Sequence, residues 1–265
     1  MAFRKQSRIK ILILLFTTIC IITSFSSCKK GTRTTPPTAN LKQEKVVSKP
    51  SVPEADASGF CILTDSIPDV ILEIRYFSTY NFVGKRVDGY EEPIALITKE
   101  AASALRKVNN ELKRKGYRLK IYDTYRPQCA VDHFMRWAKV FDDTLTKSIF
   151  YPDLTKKQIF DRGFVATKSS HTRGSTVDLT LVDAQSGKEV DMGGVFDYFG
   201  QSSHTDFAGV TAQQHSNRML LHDAMVRHGF EPIKGEWWHF TLSNEPYPDT
   251  YFTFAVKRSA IHPNQ

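Results

Sequence analysis

Residues 169–178 read Ser169-Ser-His-Thr-Arg-Gly-Ser-Thr-Val-Asp178, and residues 236–239 read Glu236-Trp-Trp-His239. Together they supply two imidazoles, a carboxylate and a second carboxylate to spare. Zinc in a hydrolase is held by three protein ligands drawn from His and Asp or Glu, and a fourth position stays open for water. His171, Asp178 and His239 meet that requirement. Glu236 is then available as the base that takes a proton from water whose acidity a metal has raised. Spacing sets conditions on such a site. Residues seven apart on a regular strand face opposite ways, so His171 and Asp178 converge only if the Arg173-Gly174 turn reorients the chain. Glu236 and His239 are three apart and need a bulge or turn at the double tryptophan. The spacings therefore permit the site without requiring it. An isolated histidine is ordinarily a surface or hydrogen-bonded one, the reading taken for His133, His204, His215, His222, His228 and His262. Trp237 and Trp238 are core residues by default, and an arginine such as Arg126 most often makes a structural ion pair.

Working outward, residues 98–115 place Ala101, Leu105, Val108 and Leu112 at helical spacing, with Thr98 as N-cap and Gly116 just past the end. Residues 117–123 alternate, with Leu119 and Ile121 on one side, and predict a strand. Pro127 suits the first position of a second helix carrying Ala130, Phe134, Trp137 and Phe141. Asp123, Tyr125 and Arg126 then fall at a strand-to-helix junction, a common place for functional groups. Strand alternation returns at Val177, Leu179 and Leu181, a third helix covers about residues 212–228 before Gly229, and a last strand follows around 236–242. With no repeated βαβ unit and no glycine-rich phosphate loop, the class is α+β.

The segment 169–178 resembles the SxHxxGxAxD signature of the zinc D,D-peptidases that share a fold with the Hedgehog signalling domain, with Thr176 at the usual Ala position. Residues 236–239 resemble their ExWH signature. Further stretches are similar to the D-Ala-D-Ala dipeptidases of the VanX type: Asn81-Phe-Val-Gly-Lys-Arg-Val-Asp-Gly-Tyr90, Tyr122-Asp-Thr-Tyr-Arg-Pro127, Asp191-Met-Gly with Phe196-Asp197, and Asn244-Glu-Pro-Tyr-Pro-Asp-Thr-Tyr-Phe252. The resemblance runs from about residue 60 to the C-terminus. It implies a central antiparallel sheet flanked by helices and one Zn²⁺ bound by His171, Asp178 and His239. Glu236 is implied as general base and then acid, and Arg126 as the cation that stabilises charge on the scissile carbonyl oxygen. Ser169 and Tyr76 are implied as holders of the substrate's termini. The implied reaction is hydrolysis of D-alanyl-D-alanine to two D-alanines in cell-wall peptide turnover. The alternatives are a D,D-carboxypeptidase or endopeptidase acting on peptidoglycan stems, and a non-catalytic module that binds wall peptide.

The chain of 265 residues carries 36 Lys plus Arg against 28 Asp plus Glu, a formal charge of +8. Residues 1–58 hold 10 basic and 3 acidic side chains, which leaves the 207 residues beyond them near neutral at +1. A neutral domain argues against nucleic acid as a partner, because that binding draws on neutralising many phosphates. The basic N-terminus has another reading. Arg4, Lys5, Arg8 and Lys10 precede an apolar run over 11–25, too short for a comfortable membrane span of about 20 residues and laid out as a secretory signal. Phe25-Ser26-Ser27-Cys28 resembles a bacterial lipobox, with Phe25 where Leu is usual. Residues 1–28 are thus expected to be a lipoprotein-type signal with lipid on Cys28, 29–58 a disordered Pro/Thr/Lys-rich tether, and 59–265 the dipeptidase domain. The expected location is extracytoplasmic, with a membrane contact through the lipid anchor. Cys61 and Cys129 are left in the domain, as a disulfide or as two buried thiols.

Overall fold

The computed structural model describes residues 56–262. The expected signal and all but the last three residues of the expected tether lie outside the described residues. Among the described residues are seven strands and six α-helices: β1 (Phe60–Ile62), α1 (Leu63–Ser66), β2 (Ile71–Leu72), β3 (Leu96–Thr98), α2 (Lys99–Arg114), β4 (Tyr117–Asp123), α3 (Gln128–Ala138), α4 (Lys147–Phe150), α5 (Lys156–Asp161), β5 (Thr176–Asp183), α6 (Ala212–Arg227), β6 (Phe230–Ile233) and β7 (Glu236–Leu242). β1 and β3 form an antiparallel pair, and the remaining strands form a sheet in the order β2-β4-β5-β7-β6. The class is α+β as expected. The main sheet is antiparallel except at one edge, where β2 runs parallel to β4.

β5 is the middle strand. Val177, Leu179 and Leu181 point to one face, and Asp178 and Thr180 to the other. All five are buried, so both faces of β5 are covered and hydrophobic alternation alone understates its burial. Leu179 and Leu181 pair with Ile121 and Leu119 of β4. This apolar layer joins Leu105, Val108 and Leu112 of α2 and Leu221 and Met225 of α6 in one core. α2 starts as its sequence dictates: the Thr98 side chain accepts a hydrogen bond from the Ala101 amide, and Gly116 beyond the last turn has φ 86°.

Two expectations for α3 shift. Pro127 is the N-cap residue and the helix starts at Gln128. The helix also stops at Ala138, which leaves Phe141 beyond it and 51% exposed rather than on the buried face. Cys61 and Cys129 are both free; Cys61 is half-buried and Cys129 exposed, so neither the disulfide nor the buried pair of thiols is formed. Among the described residues no helix is long and apolar enough to cross a membrane.

Candidate active site

The sheet register builds the site. Asp123 on β4 lies opposite Asp178 on β5, and Asp178 lies opposite His239 on β7. Directly opposed residues share a face, so these three side chains form a row across the sheet. His171 reaches the row from a 3₁₀ turn over Ser170–Arg173 that ends at Gly174 with φ 85° and ψ 0°. A Cβ at Gly174 would fall 2.3 Å from the Phe60 ring, so the reorienting turn needs glycine for conformation and for space. β7 satisfies the other spacing condition. One step along β6, from Pro232 to Ile233, corresponds to four residues of β7, from Phe240 back to Glu236. The double tryptophan thus sits in a bulge that brings Glu236 Oε2 within 3.5 Å of His239 Nδ1, and both indoles are buried.

The donors converge on one point. His171 Nδ1–H donates to the Thr124 carbonyl (2.7 Å), which leaves the Nε2 lone pair directed inward. Nε2 lies 3.2 Å from Asp178 Oδ2 and 3.3 Å from His239 Nδ1, and Asp178 Oδ1 lies 3.1 Å from His239 Nδ1. One ligand atom from each of the three residues falls within 4.8 Å of the others. Donors about 2.0–2.1 Å from a tetrahedral zinc are separated by roughly 3.3–3.4 Å, so these spacings suit that ion. Asp178 Oδ1 is buried and has no hydrogen-bond partner. An orphan oxygen on a carboxylate flanked by two imidazoles, one beside each oxygen, is what a cation would satisfy. Burial alone would raise the Asp178 pKa, but the two imidazoles outweigh it and hold the carboxyl well below the usual range. It is therefore an anion ready to ligate.

A cavity of about 480 Å³ opens over this cluster, lined among others by Tyr76, Arg126, Ser169, Asp197 and Glu236. Arg126 Nε donates to Asp123 Oδ2 (2.9 Å), and its Nη2 lies 3.7 Å from Asp178 Oδ2. Its guanidinium rests over the Tyr76 and Phe134 rings at 4.8 and 5.2 Å. Asp123, fully buried, also accepts from Tyr90 Oη (2.7 Å) and lies 3.5 Å from His171 Nδ1. It thereby orients the cation, while the Thr124 carbonyl orients the His171 ring. Tyr76 Oη donates to both carboxylate oxygens of Asp197 (3.2 and 2.9 Å). Burial, reinforced by the charge of Asp178, pushes the Asp197 carboxyl well above its ordinary value. Glu236 keeps 42% of its side chain accessible, and desolvation in the cavity raises its carboxyl as well.

The sequence can now be set against known families. The profile described as Peptidase_M15, D-ala-D-ala dipeptidase, matches residues 56–257. The chain belongs to this family. D-alanyl-D-alanine dipeptidase of Enterococcus faecalis is 43% identical over 199 residues, which cover 75% of this chain and 98% of the relative. The Streptomyces coelicolor dipeptidase is 39% identical, covering 74% and 98%, and that of Escherichia coli is 34% identical, covering 71% and 86%. The family match spans the sheet and every residue of the cavity.

All seven domain residues expected at the site stand in one place: His171, Asp178 and His239 as donors, and Glu236, Arg126, Ser169 and Tyr76 on the cavity wall. Ser169 also caps the 3₁₀ turn, accepting from the His171 amide (3.3 Å). Cys28, the expected lipid site, lies outside the described residues. Two acidic residues were not assigned a role from sequence. Asp123 carried a signal, its place at a strand-to-helix junction three residues before Arg126. Asp197 lies in the Phe196-Asp197 stretch that resembles the VanX type, which gives it no role by itself; the fold brings it to Tyr76.

Proposed function

We propose that this chain is a zinc-dependent dipeptidase that hydrolyses D-alanyl-D-alanine to two D-alanines. The observation that carries the reading is the buried His171, Asp178, His239 cluster with Glu236 3.5 Å from it. A zinc ion held by these three supplies Lewis acidity, polarising a carbonyl oxygen and making water a stronger acid. The chain's own groups do the rest. Glu236 takes a proton from the attacking water as the oxygen–carbon bond forms, and delivers it to the departing amine nitrogen as the carbon–nitrogen bond breaks. Its raised pKa suits the first role, since a carboxylate of low pKa takes a proton from water poorly. Arg126, fixed by Asp123, presents a permanent cation to the negative charge that grows on the carbonyl oxygen. Asp197 with Tyr76 forms an acidic pocket for the substrate ammonium: a carboxyl that costs energy to ionise while alone ionises readily once a cation pairs with it. Ser169, on the cavity wall beside the donor cluster, is assigned to the substrate carboxylate.

Residues 1–28 and 29–58 support placing this activity outside the cytoplasm, anchored through lipid on Cys28, with dipeptide released from the cell wall as substrate. An exported enzyme has no access to a cytoplasmic pool of the same dipeptide, so recycling of wall fragments is the role that fits. Purified protein assayed on D-Ala-D-Ala and on a stem pentapeptide tests the substrate. Release of D-alanine from the dipeptide is expected; release from the pentapeptide alone would make the protein a D,D-carboxypeptidase.

A further inference from the structure

The cavity wall formed by residues 191–204 is fastened to α6 by side chains that take no part in the chemistry. Arg218 is 1% exposed, yet no carboxylate forms an ion pair with it among the described residues. Its guanidinium donates to three backbone carbonyls instead: Nε to Met192 (2.6 Å), Nη2 to Ser202 (2.8 Å) and Nη1 to His204 (2.7 Å). On the same face of the helix, Gln214 Nε2 donates to Asp191 Oδ2 (2.9 Å) and Asn217 Nδ2 to the Asp191 carbonyl (2.8 Å). The fit is close: a Cβ on Gly193, at φ 74°, would lie 2.8 Å from Gln214 Oε1. Both ends of one loop are therefore held by one helix face.

At the middle of that loop stands Asp197. With φ 62° it is the one non-glycine residue with positive φ among the described residues. A side chain stays in that region only when its surroundings over-determine the backbone. Phe196 anchors the point next to it, stacked on Tyr122 at 4.7 Å and edge-on to Trp238 at 5.3 Å, and two residues beyond Asp197 the Phe199 amide donates to the Phe150 carbonyl (2.7 Å); the contacts to α6 hold the chain on either side of these anchors. Burying a guanidinium without a counter-ion is costly, and an apolar side chain would fill the same space more cheaply. What arginine adds is direction, because its rigid planar fork fixes several acceptors at once.

We propose that Gln214, Asn217 and Arg218 form a clamp that positions Asp197 for the substrate ammonium, with Arg218 as its central positioning residue. The clamp rests on the ammonium reading of Asp197 given above. The test compares D-Ala-D-Ala with propionyl-D-alanine, the same amide without the amino group, in wild-type protein, Arg218→Lys and Asp197→Asn. Lysine keeps the charge and loses the fork. Arg218→Lys is expected to cut the preference for D-Ala-D-Ala about tenfold, mainly through KM, while kcat/KM for propionyl-D-alanine stays within about twofold and bound zinc is unchanged. Equal losses on both substrates, or an unchanged preference, overturn the clamp. Asp197→Asn is expected to abolish the preference. If it does not, the ammonium reading fails and the clamp with it; if it does while Arg218→Lys keeps the preference, the clamp alone fails. Should Arg218→Lys not fold, the double variant Gln214→Ala, Asn217→Ala releases the Asp191 end. It is expected to lower the preference at least about threefold, and no change overturns the proposal.

Discussion

Asp178 lies between two imidazole nitrogens at 3.2 and 3.1 Å and 3.7 Å from Arg126 Nη2, so one carboxylate couples the candidate metal site to the cation beside it. Glu236 stands apart from that set, held only at 3.5 Å from His239 Nδ1, and its role is separable from metal binding. Glu236→Gln is expected to lower kcat by roughly 10²–10⁴-fold with zinc still bound, as metal analysis beside kinetics will show. The pH dependence follows from the same group. Desolvation in the cavity raises the Glu236 pKa above the ordinary glutamate value of 4.5, and the base works only when deprotonated. Activity should therefore fall as pH drops, with the midpoint of kcat/KM above 4.5 rather than at it. At this scale the motif residues were legible because chemistry restricts each to a few residue types. Asp197 stood in one of the stretches similar to the VanX type, Phe196-Asp197, but its role was not legible there, because only the fold puts Tyr76 beside it.

The elements owe their legibility to local physics. α2 follows from helical spacing, from Thr98 as cap and from Gly116 just beyond it at φ 86°, and α6 ends before Gly229 at φ 88°, while its Thr211 cap is added by the structure. The short strands β1, β2 and β3 carried no such signal; two or three residues show no period, and only tertiary pairing makes them strands. The two irregularities that form the site were demanded by spacing before they were seen: the turn at Gly174 and the bulge at the double tryptophan. Gly174→Ala combines a positive-φ cost with a 2.3 Å clash against Phe60. The expected destabilisation is about 2–4 kcal/mol, a drop in Tm of roughly 4–16 °C. Because the same turn aims His171, zinc affinity should fall with it, which thermal unfolding with and without added zinc would resolve.

For the whole molecule, the +8 charge describes two unlike parts. Most of it lies in residues 1–58, where basic side chains suit export and anionic surfaces, and the domain beyond them is near +1. The domain's informative charges are individual: Asp178, Glu236, Arg126 and Asp197 around one cavity. If the N-terminal segment anchors the enzyme, Cys28→Ala in the full-length chain should move the protein from the membrane fraction to the soluble one without changing kcat/KM on D-Ala-D-Ala. Retention in the membrane fraction would count against lipid at that cysteine. Catalysis by the cluster of His171, Asp178 and His239 is tested most directly by metal content measured together with hydrolysis of D-Ala-D-Ala. One zinc per chain is predicted, with activity lost on chelation and restored by Zn²⁺ in proportion to occupancy; full activity in the metal-free protein would contradict it.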